Sequence, residues 1–510
     1  MVRRADRPAG PARGGRRRRG LRRVPGGRHL GRRAPGRGAG GDRQAGRRAR
    51  GRVQPGARRA RRLGRRFRAG WRRDDVAATP VREVTVPRPT LLLINKFYHD
   101  VGPAGGVGRY LVQQEQDLSA RGWDVVPFAM RDEHARPSPW DRFFVRARDY
   151  SRPRWTGGAA GDAASLIWNR EASRRLDALL REAKPDVAHL HNAYHHLSPS
   201  ILPVLRRHGI PAVMTLHDLR LLCPAIHMLR RGEVCERCRG GRFHEAVLGR
   251  CVKDSRAASL LAAVETAHHA SRRLYRRTVG RFLCPSAFYA RKFAEWGWPA
   301  DRLTHLPNFV DLDAWRPAAA PPGDGYLYFG RLSREKGLST LLAAHELWSR
   351  RAEATGAPPV PQLRLAGSGP QEAELRARAS GLAAGRVEFL GPLPPDRLRA
   401  ELSRARFTVL PSEWYENGPL SLLESLAAGV PVVGADIGGI PEHLRDGVDG
   451  VLFRSGDPAA LSAALARADA LPPSSREEAR RTAERRYARA SHMDRLEALL
   501  REAAGLPAPR

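Results

Sequence analysis

The sequence contains little lysine, little cysteine and no long hydrophobic run. Only five of its 90 basic residues are lysine, and cysteine also occurs five times in 510 residues. No stretch approaches the roughly eighteen consecutive apolar residues of a membrane-spanning helix. Few cysteines, without an even disulfide framework or an export signal, indicate a protein of the reducing cytoplasm.

Acidic residues are also scarce, and the resulting positive charge is unevenly distributed. The formal net charge is +38, and residues 1–80 supply 28 arginines and four acidic side chains, or +24 of that total. A strongly basic chain suggests binding to nucleic acid or to an anionic membrane. Because most of the excess lies in one segment, this suggestion applies to that segment and not to the rest of the chain.

The arginine-rich N-terminal segment is composed almost entirely of Arg, Gly, Pro and Ala. Such a composition has too little apolar surface to offset the entropy lost on ordering, so we predict a disordered tail over residues 1–87. Two interpretations stay open: an extension without function, or a tail that binds RNA or a membrane surface. Phe67 and Trp71 are its only aromatic residues for base stacking. We therefore expect no specific nucleic-acid partner.

After the tail, short apolar runs alternate with segments of helical periodicity, beginning with "PTLLLINKF". The alternation is interrupted at residues 313–325, which are rich in Pro, Ala and Gly, and then resumes. Alternating strands and helices predict parallel, doubly wound sheets. The expected fold is therefore α/β with two Rossmann-like domains, at 88–315 and 322–485. An amphipathic helix at 486–505 is expected to pack back toward the first domain.

The most informative stretch is "EWYENGPLSLLESLAAGVPVVG", residues 413–434, which has the pattern of a loop, a helix and a buried strand. Pro419 suits the first helical turn, and Asn417 or Gly418 suits the cap. A helix N-terminus after a strand favours phosphate binding. Glu416 precedes that site and Glu424 lies inside the helix. Two arbitrary glutamates would be solvated charges, but this placement suits a sugar and a ribose on either side of a phosphate.

A second basic loop follows the first strand of the second domain. The segment "YFGRLSREKG" places Arg331 and Lys336 directly after that strand. Two cations at the carboxyl end of a strand can neutralise a diphosphate, and arginine can do so through two parallel hydrogen bonds. Taken alone, a basic loop is also compatible with simple solvation.

Together these segments resemble the retaining nucleotide-sugar glycosyltransferases of family 4 ("group 1"), which have the GT-B fold. The segments "GRLSREKG", "LRLAGSGP", "VEFLG" and "PSEWYENGPLSLLESLAAGVPVV" follow the family's order and spacing, including its E-x7-E pattern. The likeness continues through "GGVGRYL", "HLHN", "TLHD" and "LPNFVD", so it covers about residues 90 to 500. It implies two domains that face each other across a cleft.

The resemblance also implies roles for individual residues. His217 and Glu416 would act on the transferred sugar, and Glu424 would contact the ribose. The remaining donor-binding positions would be Gly105, Gly106, Arg331, Lys336, Leu390, Asn417, Gly418, Pro419 and Leu420. No protein nucleophile is implied, and no cofactor is required for catalysis. His189, His191, His195 and His196 lie in "HLHNAYHH", where structural, acceptor-facing or metal-binding roles compete; His191 is a secondary candidate.

The implied activity is transfer of a hexose from a UDP- or GDP-linked donor to a glycan or lipid-linked acceptor, in the synthesis of cell-surface polysaccharide or another glycoconjugate. The expected location is the cytoplasm, either free or peripherally bound at the inner face of the membrane. An alternative is an inactive scaffold, or a nucleic-acid or membrane binder, that acts through the arginine-rich tail. A GT-B sugar phosphorylase would need a longer chain and a pyridoxal-phosphate lysine.

Four of the five cysteines form a separate array. Cys223, Cys235, Cys238 and Cys251 have the spacing C-x11-C-x2-C-x12-C within an insertion at 223–251. A close pair with two flanking thiols can close a tetrahedral structural zinc site. Reduced free thiols or a disulfide are the competing interpretations. Cys284 lies in a predicted strand and is assigned to the core.

Overall fold

Two parallel sheets of six strands each are the framework of the protein in its computed structural model. The structure describes residues 88–99, 105–147, 159–318, 322–382 and 386–508. The tail predicted for residues 1–87 lies outside them. The described residues belong to one compact unit, Val84–Arg510.

The first half of the chain contains the first sheet and two small two-stranded pairs. Its strands are β1 Thr90–Ile94, β2 Asp124–Phe128, β3 Met130–Arg131, β4 Val145–Arg146, β5 Val187–Leu190, β6 Ala212–Thr215, β7 Leu229–Arg230, β8 Glu233–Val234, β9 Val279–Cys284 and β10 Leu303–His305. The six-stranded sheet has the order β10-β9-β6-β5-β1-β2, and all its pairs are parallel. The short pairs are β3 with β4, which is parallel, and β7 with β8, which is antiparallel.

In the described parts of this half, eight α-helices connect these strands. They are α1 Gly105–Ala120, α2 Ala159–Ile167, α3 Arg170–Ala183, α4 Leu202–Arg207, α5 His244–Leu248, α6 Arg256–Ser271, α7 Leu274–Thr278 and α8 Ala287–Glu295. The segment "ASLIWNREASRRLDALLREAK", which has the composition of one long helix, contributes to two helices, α2 and α3. Asn169 divides it, because its side-chain oxygen accepts a hydrogen bond of 3.1 Å from the Ala172 N–H and caps a new helix.

The second half repeats the same design with a second sheet. Its strands are β11 Gly325–Phe329, β12 Gln362–Ala366, β13 Val387–Gly391, β14 Ala405–Leu410, β15 Val432–Ala435 and β16 Gly450–Phe453, in the order β13-β12-β11-β14-β15-β16. Its helices are α9 Leu338–Thr355, α10 Glu372–Ala379, α11 Pro395–Ser403, α12 Leu420–Ala427, α13 Pro458–Asp469 and α14 Ser474–Tyr487, followed by α15 Arg489–Ala504. Two parallel α/β sheets confirm the predicted fold class.

The last helix, α15, packs on the first sheet and not on the second. Its Met493, Leu496 and Leu500 are buried in one apolar cluster with Leu91 and Leu93 of β1. The chain leaves the first sheet near Val310 and returns beside it, since Val310 N–H donates to the Tyr487 carbonyl over 2.9 Å. Within the described ranges, no helix is long and apolar enough to cross a membrane.

Candidate active site

A cleft of about 500 Å³ lies between the two sheets, where loops follow the carboxyl ends of strands. His217 follows β6 and Arg331 follows β11, which is the edge at which parallel α/β sheets bind ligands. The cleft brings together most of the predicted site residues: Gly106, His217, Arg331, Lys336, Glu416, Asn417, Gly418, Pro419 and Leu420.

A lysine and a glutamate from separate loops form the charged centre of this cleft. The Lys336 ammonium lies 2.6 Å from Oε1 of Glu416, which also accepts a 2.7 Å hydrogen bond from the Ser412 hydroxyl. Glu416 is only 4% exposed. Burial alone would raise its pKa, but the charge of Lys336 and the hydrogen bonds to the carboxylate lower it below its ordinary value. Glu416 is therefore ionised at neutral pH.

The loop that carries Lys336 is held against the loop that carries Glu416. Gly337 ends a 3₁₀ turn with a φ of 68°, and a Cβ placed there would lie 1.9 Å from the Pro411 carbonyl oxygen. The Glu413 N–H also donates to the Glu335 carbonyl over 2.9 Å. A side chain at position 337 would thus push the two loops apart, so glycine keeps the cation beside the carboxylate.

The sequence indicated Asn417 or Gly418 as the cap of this helix, but neither residue occupies the cap position. The cap position is Pro419, and α12 begins at Leu420. The amide of Asn417 instead bridges the two domains: its Nδ2 donates to the Leu216 carbonyl over 2.8 Å, and its Oδ1 accepts from the Ser286 hydroxyl over 3.1 Å. Because these partners come from the first domain, only the tertiary structure determines how the side chain is used.

Gly438 and Gly439, which follow β15, contact the loop that contains Glu416 and Asn417. Gly439 N–H donates to the Glu416 carbonyl over 2.8 Å. A Cβ at Gly439 would lie 2.0 Å from the Asn417 carbonyl oxygen and 2.8 Å from Cβ of Ser286. This contact was not predicted from the sequence, although the segment "DIGGIPE" offered a signal in its adjacent glycines. Residues 416–417 are therefore packed between Gly439 of the second domain and Ser286 of the first domain.

His217 reaches the cleft as a neutral imidazole held by a second histidine. Nε2 of His217 and Nδ1 of His191 share a hydrogen bond of 2.8 Å. Burial lowers the pKa of His217 to about 4 and that of His191 well below its ordinary value. His217 can therefore donate or accept one hydrogen bond toward a ligand without adding charge. His191 does not line the cleft and acts on it through His217.

Comparison with known proteins assigns this arrangement to a family. The model for glycosyl transferases group 1 matches residues 316–487, and the model for glycosyltransferase family 4 matches residues 104–314. A D-inositol 3-phosphate glycosyltransferase of Acidothermus cellulolyticus is 30% identical over 396 residues, which are 72% of this chain and 78% of that protein. The chain belongs to the group 1 glycosyltransferases.

Other similarities to the glycosyltransferase are narrower or more distant. An exopolysaccharide phosphotransferase of Streptomyces coelicolor is 36% identical over 173 residues, which are 34% of this chain but only 17% of that protein. Sucrose-phosphate synthase from Thermosynechococcus elongatus superposes with a TM-score of 0.57 at 21% identity, covering 81% of this chain and 99% of that one. Anabaena HepE, solved with UDP and glucose, has a TM-score of 0.54 at 16% identity, covering 80% and 98%. These structures share the GT-B fold.

Three predicted donor residues of the glycosyltransferase, Gly105, Leu390 and Glu424, do not line the cleft. Glu424 is buried in α12 and pairs with Arg109 of α1 across the domain boundary at 3.2 Å. Burial raises the pKa of Glu424, and Arg109 only partly offsets this. Leu390, at the end of β13, is half-buried against the core of the second domain. Gly105 is the first residue of α1.

The remaining histidines of "HLHNAYHH" have structural partners. His189 is fully buried, and its ring nitrogens bond to Gln114 and Thr215, each at 2.8 Å. His195 lies 3.0 Å from the carboxylate of Glu265, which is also paired with Arg220. These contacts fit the structural interpretation better than a metal-binding one.

Several cleft residues of the glycosyltransferase were not predicted from the sequence. Asn308 donates through Nδ2 to the Gly418 carbonyl over 2.8 Å and so links the "LPNFVD" segment to the start of α12. Asp218 follows His217 in "TLHD", and burial raises its pKa. Tyr110, Asn192 and Trp414 also line the cleft. The motifs "LPNFVD" and "TLHD", which contain Asn308 and Asp218, were recognised in the sequence. The local sequence did not indicate which of their residues face the cavity.

Proposed function

We propose that the enzyme transfers a hexose, with retention of configuration, from a nucleoside diphosphate sugar to a glycan or lipid-linked acceptor. The observation that carries this proposal is the ion pair between the Lys336 ammonium and the buried Glu416 carboxylate, 2.6 Å apart. It lies in a cleft that is also lined by His217, Pro419 and Leu420 at the start of α12. Such a site combines cations for a diphosphate with hydrogen-bonding groups for a sugar. The product would enter cell-surface polysaccharide or another glycoconjugate.

The donor diphosphate is assigned to the second domain. Arg331 and Lys336 supply two positive charges, and Gly418, Pro419 and Leu420 bring the start of α12 to the same cavity. Helix N-termini favour anions, and a guanidinium can bind phosphate through two hydrogen bonds. Glu424 would then bind the ribose and Leu390 would border the base. Anabaena HepE was solved with UDP, which favours a UDP-linked donor over a GDP-linked one.

The sugar is assigned to the space between Glu416 and His217. As the bond from the anomeric carbon to the diphosphate oxygen breaks, an acceptor oxygen bonds to that carbon on the same face. The acceptor proton passes to the departing phosphate, which leaves stabilised by Arg331 and Lys336. Glu416 and neutral His217 would orient the hydroxyls of the positively charged sugar, and the two domains around them would exclude water.

The acceptor is assigned to the first-domain side of the cleft. Asn192 and Asp218 line that side and offer hydrogen-bonding groups. The relative from Acidothermus cellulolyticus is named a D-inositol 3-phosphate glycosyltransferase, and inositol, like a glycan, is rich in hydroxyls. We place the enzyme in the cytoplasm, free or peripherally bound at the inner face of the membrane, because its five free cysteines suit a reducing compartment.

Ligand-dependent stability tests the donor assignment directly. The purified chain would be heated with UDP, GDP, ADP and their sugar conjugates, since a ligand that binds the folded state raises the melting temperature with its affinity. One nucleotide series should stabilise the protein, and the corresponding sugar should be hydrolysed or transferred. Replacing Glu416 with Ala should abolish turnover while nucleotide binding persists. Normal turnover by that variant, or no stabilisation by any nucleotide, would refute the proposal.

The same assay separates the enzyme from a binder that depends on its tail. Removing residues 1–80 should leave donor hydrolysis and transfer unchanged, because the cleft is built from residues after Gly105. If the truncated chain lost turnover together with nucleotide binding, the tail would have to be part of the active protein.

A further inference from the structure

Four of the five cysteines line one small cavity outside the active site. Cys223, Cys235, Cys238 and Cys251 surround a space of about 10 Å³, and all four thiols are free. A volume of this size holds about one water-sized particle. The fifth cysteine, Cys284, lies in β9 within the core of the first sheet. The insertion therefore collects its thiols at one point, although they are spread over 29 residues of sequence.

Separate turns deliver these thiols. The Cys223 N–H donates to the Leu219 carbonyl over 2.8 Å, in the turn that follows "TLHD". Cys235 follows the β7–β8 hairpin and donates to the Met228 carbonyl over 2.7 Å. Cys238 begins a 3₁₀ turn three residues later. The Cys251 N–H donates to the Ala246 carbonyl over 3.0 Å, beyond α5. Thiols on turns around one point are the usual arrangement of a structural zinc site.

The backbone of the insertion is strained, and its apolar core is small. Four non-glycine residues of the insertion have positive φ angles, Ile226, Met228, Arg231 and Arg250, and Lys253 and Asp254 directly after it have them too. Such conformations are costly and persist only where other interactions impose them. Within the described part of this region, one small apolar cluster is formed by Cys238, Phe243, Ala246 and Ala263, whereas Cys223 and Met228 are buried in the larger cluster of the first domain. A cross-link at the thiols would supply the missing constraint.

We propose that Cys223, Cys235, Cys238 and Cys251 bind one structural Zn²⁺ ion in tetrahedral geometry. Each thiol would release its proton to solvent, and the resulting site would have a net charge of −2. Arg230 lies close to the Cys251 thiol, since its Nε and the Cys251 Sγ both border Gly249. Among the described residues, no group of three or more His, Cys, Asp or Glu is already arranged as a metal site. The thiols must therefore rotate toward the centre of the cavity when zinc binds.

The proposed zinc site would act on the active site by supporting its loop. Glu236 lies between Cys235 and Cys238 in the sequence. Its Oε1 accepts hydrogen bonds from the Tyr415 hydroxyl at 2.9 Å and from the Lys292 ammonium at 2.8 Å. The ring of His227, in the same insertion, lies 5.0 Å from that of Trp414. Trp414 and Tyr415 directly precede Glu416. The insertion thus contacts the loop that carries Glu416.

Metal content tests this proposal independently of activity. The untagged full chain would be purified under reducing conditions without chelator, and zinc and iron would be measured by mass spectrometry. We expect about one zinc ion per chain and no stoichiometric iron. Cys235→Ser and Cys238→Ser should lose the zinc, whereas the matched control Cys284→Ala should retain it. Stoichiometric iron, absence of zinc from the unmodified protein, or unchanged zinc in the two serine variants would overturn the proposal.

Two measurements on the unmodified protein apply even if the serine variants fail to fold. Co²⁺ exchanged into the chain should give the intense visible bands of tetrahedral cobalt and the near-ultraviolet charge transfer of cobalt–thiolate bonds. Denaturation in chelator without reductant should then release five titratable thiols. Weak octahedral cobalt bands, or fewer than five thiols because of a disulfide, would contradict the assignment.

Discussion

The Lys336 ammonium and the Glu416 carboxylate lie 2.6 Å apart although they are 80 residues apart in sequence. Each is supported by a backbone contact between loops of the second domain, and the carboxylate is almost fully buried. A donor diphosphate would compete with Glu416 for the same ammonium. Binding of the donor would thereby free the carboxylate to accept hydrogen bonds from the sugar.

Replacing Lys336 with Ala should therefore impair donor use more than protein stability. We expect kcat/KM for the donor to fall by about thirtyfold or more, equivalent to about 2 kcal/mol of transition-state binding, because a charge that faces the departing diphosphate is lost. Steady-state kinetics measure this. Arg350→Ala is the matched control, since Arg350 pairs with Glu346 on the exposed face of α9. A similar loss in both variants would refute the assignment.

The interdomain pair of Arg109 and Glu424 allows two roles of the glutamate to be distinguished. If Glu424 binds the ribose, Glu424→Gln should weaken nucleotide binding by about tenfold, because a hydrogen bond to a charged group is lost. Arg109→Ala should change nucleotide affinity little, by less than about 1 kcal/mol, since the Arg109 side chain is 46% exposed. It should lower stability, because Glu424 would be left buried without its ionic partner. Calorimetric titration with the nucleotide measures the affinity of both variants, and thermal unfolding measures their stability. Equal losses would indicate that the carboxylate serves only to join the domains.

The contact of Gly439 with Asn417 predicts a strong effect from a single methyl group. Gly439→Ala should displace residues 416–417, because the new Cβ would overlap the Asn417 carbonyl oxygen. We expect destabilisation by about 1–3 kcal/mol and a large loss of turnover, measured by thermal unfolding and kinetics. Gly161→Ala is the control, since nothing lies within 4 Å of a Cβ at that exposed helical position. Unchanged activity of Gly439→Ala would show that the loop tolerates displacement.

Four buried histidines and the partly buried His217 predict that the protein loses stability in mild acid. Burial lowers the pKa of His189 and His443 to about 3, and that of His217, His345 and His492 to about 4. Between these values and about 6.5 only the unfolded chain takes up the protons, so stability rises with pH in this window and is lost as pH falls through it. Above about 6.5 the contribution is fully present.

The size of this effect is measurable. At pH 5.5 each such histidine should cost up to about 1.4 kcal/mol relative to neutral pH. The melting temperature should therefore fall steeply between pH 7 and 5, before most carboxylates begin to titrate. His345→Gln, which removes one of the buried imidazoles, should reduce the slope. A melting temperature independent of pH in this range would contradict the burial of neutral histidines.

The fold was predictable because its signals are local. Short apolar runs between amphipathic segments identify the strands of both sheets, and burial on both faces explains why β1 and β11 are apolar along their length. The division between α2 and α3 was not predicted from the sequence; it arises because one asparagine side chain caps a new helix there. Asn417 was an expected capping candidate, but its amide bonds to first-domain groups that are distant in sequence.

The amino-acid sequence by itself determined the two-sheet α/β fold, the family and many of the residues that meet in the cleft, because periodicity and short motifs depend on neighbours along the chain. Only the tertiary structure decided that Lys336 pairs with Glu416, that Arg109 pairs with Glu424 and that Gly439 supports Asn417. Those contacts join segments tens to hundreds of residues apart, and they depend on how separately folded loops and domains pack against each other, which no local pattern records.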